Sequence, residues 1–156
     1  MSATRITHVS IYADDLEESA RFYEELFGMK RLPTAKFPSG RVLWLQLGEQ
    51  QLHLFESDED RPSLRHHFGM DVEDFDAVYA TAKERGLLDT SAFGSPIRSH
   101  PLGWVQMYLR DPSGNLVEVD WPDATTLADS TRAEIVGLET TAPQDGDAAR
   151  ATLYHS

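Results

Sequence analysis

One order of elements occurs twice in this chain, and it limits the folds open to it. Residues 5–13 alternate in polarity as a strand, with Val9 and Ile11 on one face and His8, Ser10 and Tyr12 on the other. Asp14 or Asp15 then caps a helix in which Leu16, Ala20, Tyr23 and Phe27 recur at helical spacing and which Gly28 ends. After a loop or short strand over 29–41, residues 42–47 and 51–56 form two strands around the Gly48-Glu49-Gln50 turn. Beyond the polar stretch 57–63 the order returns. Residues 66–73 read as a strand with Phe68, Met70 and Val72 opposite His67, Gly69 and Asp71. Asp74 caps a second helix, whose stripe is Phe75, Val78, Tyr79 and Ala82 and whose stop is Gly86. Two more strands flank the turn Asp111-Pro112-Ser113-Gly114-Asn115. Neither half is large enough to bury its own sheet. The expected fold is α+β, with two βαβββ modules (about 5–56 and 64–121) forming one curved mixed sheet around a cleft, in a single domain over 1–123.

Composition removes several classes of function. The 156 residues carry no cysteine, which excludes disulfides, thiolate metal ligands and cysteine nucleophiles. A net charge of -12 argues against nucleic acid and anionic membranes as partners. No apolar run reaches the length of a membrane span and the first residues lack a signal core, so a cytoplasmic protein is expected. The segment 124–156 is rich in Thr, Ala and Asp. It reads as an extension with a short helix within 130–138 and a partly disordered end.

If the apolar strand faces meet the helices, the opposite faces line the cleft. They carry His8, Tyr12, Trp44, Gln46, His53, His67, Trp104, Gln106, Tyr108 and Glu118. Taken singly, His8 is an ordinary strand histidine and Glu118 an outward surface residue. Yet His8 and His67 hold the same place in the first strand of each half, and His53 and Glu118 the same place in the last. Two imidazoles and a carboxylate converging from separate strands bind a divalent metal on one face and leave other positions open. Fe(II) suits such a set best, with Mn(II), Ni(II) and Zn(II) as alternatives.

The pattern resembles the vicinal oxygen chelate superfamily, which includes glyoxalase I, bleomycin-binding proteins, methylmalonyl-CoA epimerase and extradiol ring-cleaving dioxygenases. The resemblance covers roughly residues 5–121. It rests on Thr7-His8-Val9, on the run His67 to Val72, and on the run Asp111 to Glu118. It implies that His8, His67 and Glu118 are the metal ligands. The local pattern closest to extradiol dioxygenases is His100, Met107, Tyr108, Asp111, Pro112, Gly114 and Glu118 in that order; Arg98 departs from it, standing where a small or apolar residue is expected. That likeness implies an Fe(II) enzyme opening a catechol-like ring, with His53 and His100 handling protons and Tyr108 binding a phenolic oxygen. In glyoxalase I and the epimerases the place of His53 holds a fourth ligand, so a lyase or isomerase is the alternative, with metal-free drug binding as a third. Tyr12, Trp44, Gln46, Trp104 and Gln106 are the expected substrate contacts. The partner is a small aromatic molecule, and a symmetric homodimer is the expected assembly.

Overall fold

The computed structural model describes residues 2–38 and 40–154. The chain divides into two compact units: one runs through His66 and includes Arg110–Asn115, and the other comprises His67–Leu109 and the residues from Leu116 onward.

In the first unit, β1 (His8–Ala13) leads into α1 (Leu16–Phe27), and β2 (Lys30–Leu32), β3 (Val42–Leu47) and β4 (Gln50–Glu56) follow. Asp15 is the cap, its carboxylate accepting from the Glu18 amide at 2.8 Å. Gly28 ends the helix at φ 65°, which a residue without a Cβ adopts freely. The strand order is β1-β4-β3-β2. β1 runs parallel to β4, as a helical crossover requires, while β3 and β4 form an antiparallel hairpin. Leu45, Leu52, Leu54, Ala20 and Tyr23 are fully enclosed. Each large side chain of this kind contributes roughly 1.5–3 kcal/mol by leaving water.

The second unit repeats the plan with β5 (His67–Asp71), α2 (Phe75–Glu84), β6 (Ile97–Ser99), β7 (Val105–Arg110) and β8 (Leu116–Trp121). Asp74 caps α2 through the Ala77 amide at 2.9 Å. The order is β5-β8-β7-β6-β9, with β5 parallel to β8 and a two-residue β9 (Val136–Gly137) added beside β6. Val105, Met107, Leu109, Val117 and Val119 form the buried face at 0% exposure, as their alternation predicts. The α+β class and the paired modules expected from the sequence are present. The strands are bonded as two ladders rather than one curved sheet, with β1 and β5 each the outermost strand of its own ladder.

The turn 111–115 belongs to the first unit, although the strands that it joins belong to the second. Asp111 Oδ1 accepts from the Ser113 and Asn115 amides at 3.0 and 2.8 Å, and Oδ2 accepts from the Tyr23 hydroxyl and the Asn115 side chain at 2.8 and 2.9 Å. The Asn115 amide also donates to the Tyr12 carbonyl at 2.7 Å, and Ser113 Oγ accepts from the Asp14 amide at 2.9 Å.

The extension expected to be partly disordered is structured through Tyr154, and its last two residues lie outside the described residues. The helix expected within 130–138 is the short α3 (Asp129–Arg132), followed by β9. Leu127 is buried, and polar contacts add to it: the Ala128 amide donates to Asp76 at 3.0 Å, Lys83 pairs with Glu134 at 3.0 Å, and Tyr154 donates to Asp71 at 2.6 Å. No helix among the described residues is long and apolar enough to cross a membrane.

Candidate metal centre

The expected site residues fall into a group in each unit. In the first, the register of β4 against β1 and β3 sets His53 opposite Ser10 and Trp44. Three rings stack: His8 on His53 at 4.4 Å between centroids, and His53 on Trp44 at 4.5 Å, all within 16° of parallel. His53 is buried at 8% exposure while His8 is exposed, with Nδ1 against the Thr7 hydroxyl at 3.0 Å. His53 Nε2 meets the Gln51 side-chain oxygen at 2.9 Å. Burial, and then the His8 imidazole, hold His53 below the usual imidazole range, so it is neutral near pH 7 and fit to accept a proton. The Trp44 indole N–H is buried with no hydrogen-bond partner among the described residues, a donor left for a ligand. Tyr12 donates to Asp14, and the Gln46 side chain donates to the Gly48 carbonyl, so both are engaged locally.

In the second unit, β8 carries Glu118 and Asp120 on one face, against Gly69 and Asp71 of β5. Glu118 is 5% exposed, and its Oε2 lies 3.2 Å from His67 Nε2. It also meets the Tyr108 hydroxyl and the Asp120 carboxyl through hydrogen bonds. Burial, then the Glu118 charge, raise the Tyr108 phenol well above its usual range, so it stays protonated and donates. Burial first, and then Glu118, push Asp120 up to about 8. Space for the two carboxylates comes from Gly69: a Cβ there would stand 2.9 Å from Asp120 Oδ2 and 3.2 Å from Glu118 Oε1. His100 stacks on Trp104 at 3.6 Å, and its Nε2 meets the Gln106 side-chain oxygen at 2.7 Å. Trp104, expected as a substrate contact, is 5% exposed and donates its indole N–H to the Ala151 carbonyl at 3.0 Å. The C-terminal segment covers it.

A sequence model of the Glyoxalase/Bleomycin resistance protein/Dioxygenase superfamily matches residues 5–119. The chain belongs to this superfamily. Among proteins of the superfamily's fold, the oxidase ChaP-H2 aligns with 76% of the chain and 94% of its own, at 23% identity and a TM-score of 0.60. Lactoylglutathione lyase from Agrobacterium tumefaciens aligns with 76% and 94%, at 24% identity and a TM-score of 0.57. The uncharacterized protein YwbC of Bacillus subtilis (strain 168) is 27% identical over 124 residues, 74% of this chain and 96% of its own length. The solved structures attest the glyoxalase fold.

The donor chemistry of a divalent metal site is present in part. Imidazole nitrogen and carboxylate oxygen 3.2 Å apart match two neighbouring ligands of one ion, each about 2.1 Å from it. Among the described residues, however, no group of three or more His, Asp or Glu is placed to hold a metal. Each unit brings two candidates together, His8 with His53 and His67 with Glu118. Sequence reasoning passed over Gly69 and Asp120. A glycine inside the strand run His67 to Asp71 was the available signal for close approach of another group. A second acidic residue two places after Glu118 was the signal for Asp120.

Proposed function

We propose that the chain is a divalent-metal enzyme in which His8, His67 and Glu118 hold the ion, with Fe(II) as the metal and extradiol opening of a catechol-like ring as the reaction. The observation that carries this reading is the buried Glu118 carboxylate facing His67 Nε2 at 3.2 Å. A buried carboxylate is costly unless it is paired, and a cation held between Glu118 and the His67 imidazole would pair it. The pair supplies two of the three proposed donors and His8 is the third; the reading also includes a symmetric homodimer as the assembly. Bound Fe(II) would supply open positions at which a substrate with two adjacent oxygens and dioxygen meet. The chain's own groups do the rest. Tyr108 holds a proton and donates it toward Glu118 or a phenolic oxygen. Neutral His53 accepts a substrate proton, and His100, braced by Gln106 and Trp104, offers a second imidazole.

Anaerobic loading with Fe(II), followed by air and a panel of catechols, should consume oxygen and yield a coloured ring-opened product. His53→Ala, His100→Ala and Tyr108→Phe should each keep the iron and slow turnover by about 10²-fold or more. One observation favours a second reading, a lyase or isomerase: His53 lies against His8 at 4.4 Å, close enough to serve as a fourth ligand. In that case His53→Ala loses metal, and Ni(II) or Zn(II) supports turnover of a methylglyoxal thiol adduct without oxygen uptake.

A further inference from the structure

Arg98 is the residue at which the sequence departs from the ring-cleaving pattern, and its surroundings give the departure a use. On β6, Ile97 pairs with Met107 and points into the core, while Arg98 pairs with Gln106 on one side and Val136 on the other. Arg98 therefore shares the polar sheet face with Gln106 and Tyr108. Its guanidinium donates to the Phe93 carbonyl and lies 5.9 Å over the Phe93 ring. Among the described residues no carboxylate forms an ion pair with it.

A cavity of about 410 Å³ opens beside this guanidinium, lined by Phe93, Pro96, Arg98, Val136, Leu138 and Thr141 among others. Its wall is mainly apolar, and among the described residues Arg98 is the one charged group lining it. The volume lies in the range of small-molecule sites and suits a body of one or two aromatic rings. Phe93 links it to the candidate centre: the same ring lies 4.7 Å from Tyr108 and edge-on to His67 at 5.9 Å.

We propose that this cavity seats the ring of an aromatic carboxylate whose carboxylate is held by Arg98. The proposal rests on the metal-enzyme reading for the role of substrate, and it makes that substrate an anionic aromatic. Arginine presents parallel N–H donors that match a carboxylate, and apolar walls strengthen the pair by excluding water. In a chain of net charge -12, long-range attraction does not bring an anion in; a local cation must select it.

The test is titration of the metal-free, full-length protein with 2-naphthoate and with the uncharged 2-naphthamide, followed by calorimetry. The wild type should bind the acid at least about tenfold more tightly than the amide, the scale of one hydrogen bond to a charged group. Arg98→Met should remove that preference and leave amide binding in place. Arg98→Lys, which keeps the charge without the planar fork, should retain part of it. Val136→Trp, at the rim of the cavity, should weaken both ligands. Equal affinity for acid and amide, an unchanged preference in Arg98→Met, or naphthoate binding that survives Val136→Trp unaltered would overturn the proposal, as would the absence of binding by either compound. Because no metal is present, failure of the iron chemistry leaves this result untouched. Failure here leaves metal binding by His67 and Glu118 standing.

Discussion

One aspartate lies in the turn before β8 and another within β8, one in each unit, and both are 4% exposed. Asp111 accepts four hydrogen bonds, two on each oxygen. Asp120 shares a hydrogen bond with Glu118, and its Oδ1 has no partner among the described residues. Burial raises both carboxyls. Around Asp111 the donors of Asn115, Tyr23 and Ser113 pull the other way, whereas around Asp120 the Glu118 charge adds to the rise. Burial alone therefore does not separate structure from chemistry; the supply of donors does. A saturated carboxylate holds a turn in place. An undersupplied one beside a second carboxylate stores a mismatch that a cation would relieve.

Substitutions can break that comparison. Asp111→Ala should have the largest effect, because it removes the buried acceptor of the Tyr23 hydroxyl, of two backbone amides and of the Asn115 side chain; a loss of about 3 kcal/mol or more in denaturant unfolding is expected. A loss below about 1 kcal/mol would show that the turn holds without its aspartate. Glu118→Ala should come next, removing most bound metal in elemental analysis while circular dichroism stays native. Undiminished metal content would remove Glu118 from the ligand set. Gly69→Ala should cost less: the new methyl pushes on the ends of Asp120 and Glu118, lowering metal affinity by about tenfold with the fold intact. Smallest is Asp120→Asn in the metal-free protein. Because the Asp120 carboxyl is raised to about 8 when folded, the folded state holds a proton that the unfolded chain releases near pH 4. Wild-type stability from this group is therefore present below pH 4 and falls as pH rises toward 8. The variant should be free of that fall, so its advantage in thermal midpoint should grow between pH 5 and 8. A constant difference across that range would mean that Asp120 is ionised throughout.

Much of the architecture was legible because its signals are local. Asp15, Gly28 and Asp74 act as the caps that their positions announce, and the alternation through Val105, Met107 and Leu109 names the buried face. The nearness of His67 to Glu118 was legible because both lie on the polar faces of strands in one module. What stayed hidden depends on contacts between residues distant in sequence. The Phe93 ring between His67 and the Arg98 cavity lies on no periodic element. The order in residues 124–154 comes from a short ladder, a buried leucine and isolated polar contacts such as Tyr154 on Asp71, none of which leaves a pattern in the sequence. Strand periodicity placed Trp104 on the polar face but did not show the chain that folds over it.

The assignment of the 111–115 turn to the first unit bears on how the protein is made. A chain leaving the ribosome presents residues 1–66 well before Asp111. Until Asp111 emerges, the buried Tyr23 hydroxyl lacks its acceptor and the Asp14 amide lacks Ser113. The first unit's contacts with this turn therefore form only after residues 111–115 have been made. They span 88 and 99 residues of sequence, the kind of separation that slows closure.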